Sequence, residues 1–379
     1  MTTIYLDNAA TTALDPEVVN VMHVSMLQNY GNPSSTHQLG RKAKSAVETA
    51  RKNIANMLNA SAPEIIFTSS GTEADNLILN NAVLNLGVTK IITSKIEHHA
   101  VLHTCKHLEK TQNIALNYVK IQSNGNVDLQ DLEYLLQTSK EKTLVSLMYI
   151  NNEIGSILPL QEVGEICKKH NALFHSDTVQ TIGHYPLNLQ EIHIDFLVAS
   201  AHKFHGPKGI GFAFFRKGFG VLPMLHGGDQ ERGARSSTEN VHGILGMEKA
   251  LKIATENLQK DKNYIESIKL FFISELKKLS KDIYFNGTSG DLDKSSYTIL
   301  NVRFPIKNSM LLFTLDMAGI AVSGGSACQS GSNKGSHVLQ EILLEEEEEN
   351  TSVRFSFSKY TTKEEIVTTI KKLSTLFKK

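Results

Sequence analysis

Asp195-Phe196-Leu197-Val198-Ala199-Ser200-Ala201-His202-Lys203 is an apolar run of one strand's length that delivers a lysine, and Gly206-Pro207-Lys208-Gly209-Ile210-Gly211 turns the chain directly afterwards. A short apolar run bounded by Gly and Pro suits a strand buried on both faces. An amine carried by such a strand to a tight turn sits where its charge is disfavoured. That condition makes lysine a nucleophile or a Schiff-base partner. Most lysines are solvated surface charges, but Lys203 has Ser200 and His202 beside it and no other charge back to Asp195.

Working outward, Asn171-Ala172-Leu173-Phe174-His175-Ser176-Asp177 is a second strand that ends in a carboxylate, with Gln180 one helical turn on. Open α/β sheets bind ligands outside the carboxyl ends of their strands, so an acid and a lysine at two such ends face one pocket. Pyridoxal phosphate uses this pair, lysine for its aldehyde and a carboxylate for its ring nitrogen. Taken alone, Asp177 serves equally well as a helix cap. A third strand, Glu64-Ile65-Ile66-Phe67, leads into Thr68-Ser69-Ser70-Gly71-Thr72-Glu73-Ala74-Asp75-Asn76, where small hydroxyl residues and one glycine open a helix. Such an N-terminus offers N–H groups and a positive dipole end to a phosphate. The same residues also spell a capping box. Neither G-x-x-x-x-G-K-[ST] nor a G-x-G-x-x-G after a first strand occurs, which argues against an NTPase or a dinucleotide enzyme.

Farther along, the β-like runs 90–93, 143–149 and 210–215 alternate with helical stretches over 42–58 and 129–136. This predicts an α/β fold with a mainly parallel sheet wrapped by helices. After a polar, helix-like segment over 249–281, shorter strands at 298–302 and 352–356 suggest a smaller α+β domain that begins near residue 260. The chain has 379 residues, 41% of them hydrophobic, enough for a large core and two domains. Lys+Arg and Asp+Glu balance at 39 each, so no global field favours nucleic acid or membranes. No basic N-terminal start precedes an apolar stretch and no run approaches membrane-spanning length, so no signal peptide or membrane contact is expected. Three cysteines suit a reducing cytoplasm.

Cys328 lies in Ser323-Gly324-Gly325-Ser326-Ala327-Cys328-Gln329-Ser330-Gly331-Ser332-Asn333-Lys334-Gly335, too rich in Gly and Ser to hold a packed element. A thiol on an accessible loop is reactive. Cys105 and Cys167, spaced among apolar residues at helical intervals, read as small core residues.

With these residues in place the chain resembles the cysteine desulfurases, in the class V group of fold-type-I pyridoxal-phosphate enzymes, from Tyr5-Leu6-Asp7-Asn8-Ala9-Ala10-Thr11-Thr12 to Arg354-Phe355-Ser356. Between these ends, Gly31-Asn32-Pro33-Ser34-Ser35, Thr68 to Glu73, Glu97-His98, Asn151-Asn152-Glu153-Ile154-Gly155, Asp177 with Gln180, Ser200 to Lys203, Arg235-Ser236-Ser237-Thr238 and Gly325-Ser326-Ala327-Cys328 fall in family order. The long Gly/Ser segment around the cysteine resembles the nitrogen-fixation and housekeeping iron–sulfur group. The resemblance implies that Lys203 carries pyridoxal 5′-phosphate as a Schiff base, Asp177 meets the ring nitrogen and Gln180 the ring hydroxyl. Gly71, Thr72, Ser200 and His202 would hold the phosphate, with Thr238 reaching in from the other subunit of a homodimer. His98 would stack on the ring and move protons. Asn152 and Arg354 would take the substrate carboxylate, and Cys328 would receive sulfur from L-cysteine as a persulfide, releasing L-alanine.

The resemblance further implies a large cofactor-binding domain over 13–260 and a small domain over 1–12 and 261–379. A sulfur-acceptor protein, such as an iron–sulfur scaffold, would take the persulfide sulfur; the motifs do not identify it. Selenocysteine lyase and a class V transaminase of small amino acids are the enzymatic alternatives, and a non-catalytic sulfur carrier or scaffold is the alternative outside catalysis. Three features stand apart from the motifs. His99, His103 and His107 share one helix face at metal-binding spacing, yet no further ligand clearly completes the set, so no metal is expected. Residues 345–349 are five consecutive glutamates, read as a solvated stretch. Arg232 and Arg235 flank the subunit-contact motif and suit a helix or an interface equally.

Overall fold

Seven short runs rich in β-branched and aromatic residues build one sheet in the computed structural model, which describes residues 3–308, 310–324 and 335–375. In chain order they are β1 (Ile65–Thr68), β2 (Lys90–Thr93), β3 (Ala115–Tyr118), β4 (Thr143–Ser146), β5 (Leu173–Asp177), β6 (Phe196–Ser200) and β7 (Gly211–Phe215). Their order in space is β1-β7-β6-β5-β4-β2-β3. Only β7 runs against its neighbours; the other pairings are parallel. Parallel strands need helical crossovers, and those helices cover both faces. Successive residues therefore serve opposite cores. Phe67, Ile92, Val145 and Leu197 pack on one side, and Ile66, Ile91, Leu144 and Val198 on the other.

The expected α/β sheet is present, and the differences from expectation have local causes. Of the run 143–149 only 143–146 is regular strand; beyond it Leu147 and Tyr149 N–H still donate to His175 O and Asp177 O of β5, while Met148 N–H donates to Glu97 Oε2 at 2.9 Å. Gln180 follows Asp177 in a turn rather than a helix, closed by Thr181 N–H on Thr178 O at 2.8 Å. The helix predicted at 42–58 starts earlier, at Gln38, where His37 accepts from Gly40 N. The helix-like segment 249–281 belongs to a single 39-residue helix, Val241–Leu279, capped by Asn240. At 1.5 Å per residue it is about 58 Å long. Its first half packs Ile244, Met247 and Leu251 on the large sheet's core. Its second half packs Ile268, Phe272 and Leu276 with Leu6, Leu300, Val302, Val353 and Phe355. That second core lies under a three-stranded antiparallel sheet of β8 (Tyr284–Phe285), β9 (Ile299–Arg303) and β10 (Ser352–Ser356), with β9 central.

Candidate active site

Register brings the predicted residues to one edge of the large sheet. Asp177 at the end of β5 pairs with Val198, two residues before Ser200 ends β6. Thr68 of β1 and Ser200 of β6 both pair with Gly211 of β7. A Cβ on Gly211 would lie 2.4 Å from Ala199 O and 3.0 Å from Ser70 C, so only glycine lets the two strand ends close on each other. Outside these ends is a cavity of about 170 Å³. Ten predicted residues line it: Gly71, Thr72, His98, Asn152, Asp177, Gln180, Ser200, His202, Lys203 and Arg354.

Lys203 ends a 3-10 turn that follows β6 directly. Its Nζ donates to Ala9 O at 2.6 Å and Ala10 O at 2.8 Å, and Gln180 Nε2 donates to the same Ala9 O at 2.9 Å. The N-terminal segment is thus a wall of the site, a role the sequence reading did not assign. Alanine side chains carry no signal for it, because the contacts are made by backbone carbonyls.

At one end of the cavity begins helix α1 (Gly71–Leu84). The cap is present, but the expected box is shifted by one residue, since Glu73 reaches back to Ser69 rather than to the N-cap Ser70. Ser70 Oγ accepts from Glu73 N at 3.1 Å, and Glu73 accepts from Ser69 N at 2.8 Å. The N–H groups of Gly71 and Thr72, which have no intrahelical acceptor, are left for an anion. A Cβ on Gly71 would come within 2.6 Å of Val179 Cγ2, so the floor of this cradle needs glycine. Arg235 grips Glu73 through Nε at 2.7 Å, tying the segment before Thr238 to the cradle. His202 Nδ1 lies 3.1 Å from Thr11 Oγ1. Burial, with Lys203 and Lys208 nearby, brings the His202 imidazole down to about 4 and keeps it neutral.

The other end is acidic. Asp177 Oδ1 accepts from Val179 N at 2.9 Å. Burial pushes this carboxyl upward, while His98, the Val179 N–H and Lys203 hold it back. His98 caps helix α2 (His99–Gln112) by accepting from Ala100 N at 3.2 Å through Nδ1, which orients the ring. Two more residues belong here that the sequence reading missed. Asp75, one turn into α1, lines the cavity, and His175 lies behind it on β5. Strand periodicity was the available signal, since His175 and Asp177 are two apart and share a face. Glu97 is buried and raised to about 8, chiefly by burial, despite donors from Ser94 Oγ at 2.7 Å and Met148 N.

Arg354 faces the cavity already engaged. Nη2 donates to Asp7 Oδ1 at 2.8 Å and Nη1 to Asn152 O at 2.8 Å, while Nε has no hydrogen-bond partner among the described residues. Asp7 is in turn held by Ser323 Oγ at 2.9 Å. Thr238 is exposed and lines a separate cleft with Phe67, Ser69 and Arg235. Cys328 lies outside the described residues. Cys105 and Cys167 are fully buried thiols whose pKa burial raises far above the usual thiol value, as expected of core residues. His99 stacks on His103 at 4.8 Å between ring centroids and meets His337 at 4.5 Å. The acidic run is solvated as expected, with Glu345, Glu346, Glu348 and Glu349 exposed; Glu345–Glu348 form one helical turn, and Glu347 and Glu349 pair with Arg303 and Lys307. Arg232 pairs with Glu48 at 3.0 Å.

The aminotransferase class-V profile matches residues 4–368. A cysteine desulfurase IscS of Dictyoglomus turgidum is 42% identical over 381 aligned positions, which cover 99% of this chain and 95% of the relative. Among solved structures, a NifS-like protein superposes with a TM-score of 0.90 at 38% identity, covering 99% of each chain. A structure described as SspA in complex with cysteine superposes at 0.79 with 31% identity, covering 95% of this chain and all of the other. With a lysine, a buried carboxylate and a helix N-terminus around one cavity, and with relatives aligned from end to end, the chain belongs to the aminotransferase class-V family, among its cysteine desulfurases.

Proposed function

We propose that this protein converts L-cysteine to L-alanine with pyridoxal 5′-phosphate bound in the cavity, and passes the sulfur to Cys328. The single observation that carries this is that one cavity is lined by an anion cradle at Gly71, Thr72, Ser200 and His202, an amine at Lys203 and a buried carboxylate at Asp177. That donor set fits a phosphate, an aldehyde and a ring nitrogen. When bound, the cofactor supplies an electron sink for a substrate amino group.

The chain's own residues do the rest. Lys203, released from the Ala9 and Ala10 carbonyls, is the base for the Cα proton. Asp177 would keep a proton on the cofactor's ring nitrogen, and Gln180 would meet its hydroxyl. His98, oriented by its cap, would lie against the cofactor and return a proton. Arg354 and Asn152 take the substrate carboxylate, for which a guanidinium is the bidentate partner. The Cys328 thiolate would attack the substrate sulfur; as the S–S bond forms the substrate Cβ–S bond breaks, its electron pair passes into the sink that the bound cofactor would supply, and protonation of the three-carbon remainder gives L-alanine beside the persulfide. The solved relative in complex with cysteine supports the substrate.

The wider reading has these supports. Thr238 is exposed and away from its own chain's cavity, which suits a homodimer in which it serves the other subunit. Separate apolar cores against the seven-stranded and the three-stranded sheet suit a large domain over 13–260 and a small one over 1–12 and 261–379. No helix among the described residues is long and apolar enough to cross a membrane, which suits a cytoplasmic enzyme. The IscS relatives suggest an iron–sulfur scaffold or another acceptor protein for the sulfur.

The test is L-alanine formed from L-cysteine with a thiol reductant, in wild type, Cys328→Ala and Lys203→Ala. Alanine from wild type alone supports the proposal. Full activity in Cys328→Ala rules out that thiol as the sulfur acceptor, and a keto acid from other amino acids with no alanine from wild type supports a transaminase instead.

A further inference from the structure

Asp75 and His175 are buried polar groups at the floor of the cavity to which the chemistry above gives no role. His175 lies two residues before Asp177 on β5, so both side chains leave the same face of the sheet. Ser146 of β4 is its partner in the strand register, with Oγ 2.9 Å from His175 Nδ1. On the other side of the ring, Nε2 approaches Asp75 Oδ1 of α1 at 3.4 Å. Apart from that approach neither atom has a hydrogen-bond partner among the described residues. The three side chains form a line, strand to ring to helix, that ends beside Asp177.

The groups facing this line are Asp177, Glu97, His98, Cys105 and Lys203. Side-chain donor or acceptor atoms of Asp75, His98 and Asp177 all lie within 4.8 Å of one another. Two carboxyl groups that close, shut away from water, do not both ionise, and the better supported one takes the charge. Asp177 has the support: an N–H from Val179 at 2.9 Å, with His98 and Lys203 nearby. Asp75 has a neutral imidazole alone, since burial brings His175 down to about 3.

We propose that Asp75, His175 and Ser146 are positioning residues for Asp177. Asp75 keeps its proton and donates it to His175 Nε2, and His175 Nδ1–H donates to Ser146 Oγ. The negative charge of the cluster then rests on Asp177, facing the cavity. An ionised Asp75 would push Asp177 toward protonation and deprive the ring nitrogen of its counter-charge. This inference rests on the reading of Asp177 as the partner of the cofactor's ring nitrogen.

The experiment uses the full chain labelled with 15N-histidine, with and without pyridoxal phosphate, together with the dissociation constant for pyridoxal phosphate of each variant. In both states His175 is expected neutral, with the proton on Nδ1. Asp75→Ala is expected to raise the dissociation constant about tenfold, and Asp75→Asn, which keeps a neutral donor, to recover most of that loss. The pH at which the visible band of the bound cofactor changes should shift in Asp75→Ala and return in Asp75→Asn. A proton on Nε2, a charged ring at neutral pH, or Asp75→Asn as damaging as Asp75→Ala would overturn the proposal. If wild type forms no visible band with pyridoxal phosphate, the cofactor reading fails, and the tautomer of His175 in that same sample still decides the relay.

Discussion

Lys203 shows how one side chain is kept ready. Its amine donates to the carbonyls of Ala9 and Ala10, which orient it toward the cavity. Lys203→Ala should therefore lower kcat/KM by at least about 10³ while leaving the melting temperature close to wild type. Arg354 is set differently, between Asp7 and the Asn152 carbonyl, so the guanidinium is aimed before substrate arrives. Arg354→Lys loses the fork and should raise KM for L-cysteine about tenfold with a smaller change in kcat, measured by steady-state alanine formation. At this scale the sequence was legible where chemistry is carried by a side chain in a telling place, as with Lys203, Asp177 and His202. It was silent where backbone does the binding, as at Ala9 and Ala10. Asp75 and His175 were hidden because each is ordinary in its own element, and only the fold sets them 3.4 Å apart.

Strands and helices bring those residues together by register. Thr68 and Ser200 meet across Gly211, and α1 starts three residues after Thr68, so the cradle and the lysine turn share one sheet edge. Gly71→Ala tests that closeness. Its Cβ would meet Val179 Cγ2 at 2.6 Å, and the stiff valine must move. Expected are a stability loss of about 1–2 kcal/mol by chemical denaturation and weaker pyridoxal phosphate binding. Adding Val179→Ala should restore most of both, and additive damage in the double variant would contradict this packing. Element types were readable from apolar runs and turn residues. Their ends were not, because tertiary packing sets them, as the burial of Ile244 and Met247 does for the start of the 39-residue helix.

In the whole molecule the 39-residue helix Val241–Leu279 joins the two apolar cores, and it carries the buried Lys269. Lys269 Nζ donates to Ser296 O at 2.6 Å and Ser295 Oγ at 3.1 Å, and burial lowers its pKa from 10.5 to about 7. Between those two values the unfolded chain holds a proton that the folded chain has released, so stability rises as pH rises from about 7 toward 10.5. Lys269→Met should be the more stable protein at pH 6 by an amount on the order of a few kcal/mol, less the lost hydrogen bonds, and that advantage should shrink by pH 9. Thermal melts of both proteins at the two pH values check it; a constant difference would place the penalty elsewhere. The helix was foreseen only from residue 249, because its first turns are apolar on the large core and carry no polar periodicity. The central claim, that sulfur leaves L-cysteine for this chain's own thiol, is tested most directly by peptide mass spectrometry after one turnover without reductant. One added sulfur atom on the peptide containing Cys328, matched by one L-alanine released, is the predicted result; alanine released with the Cys328 peptide unchanged would contradict it.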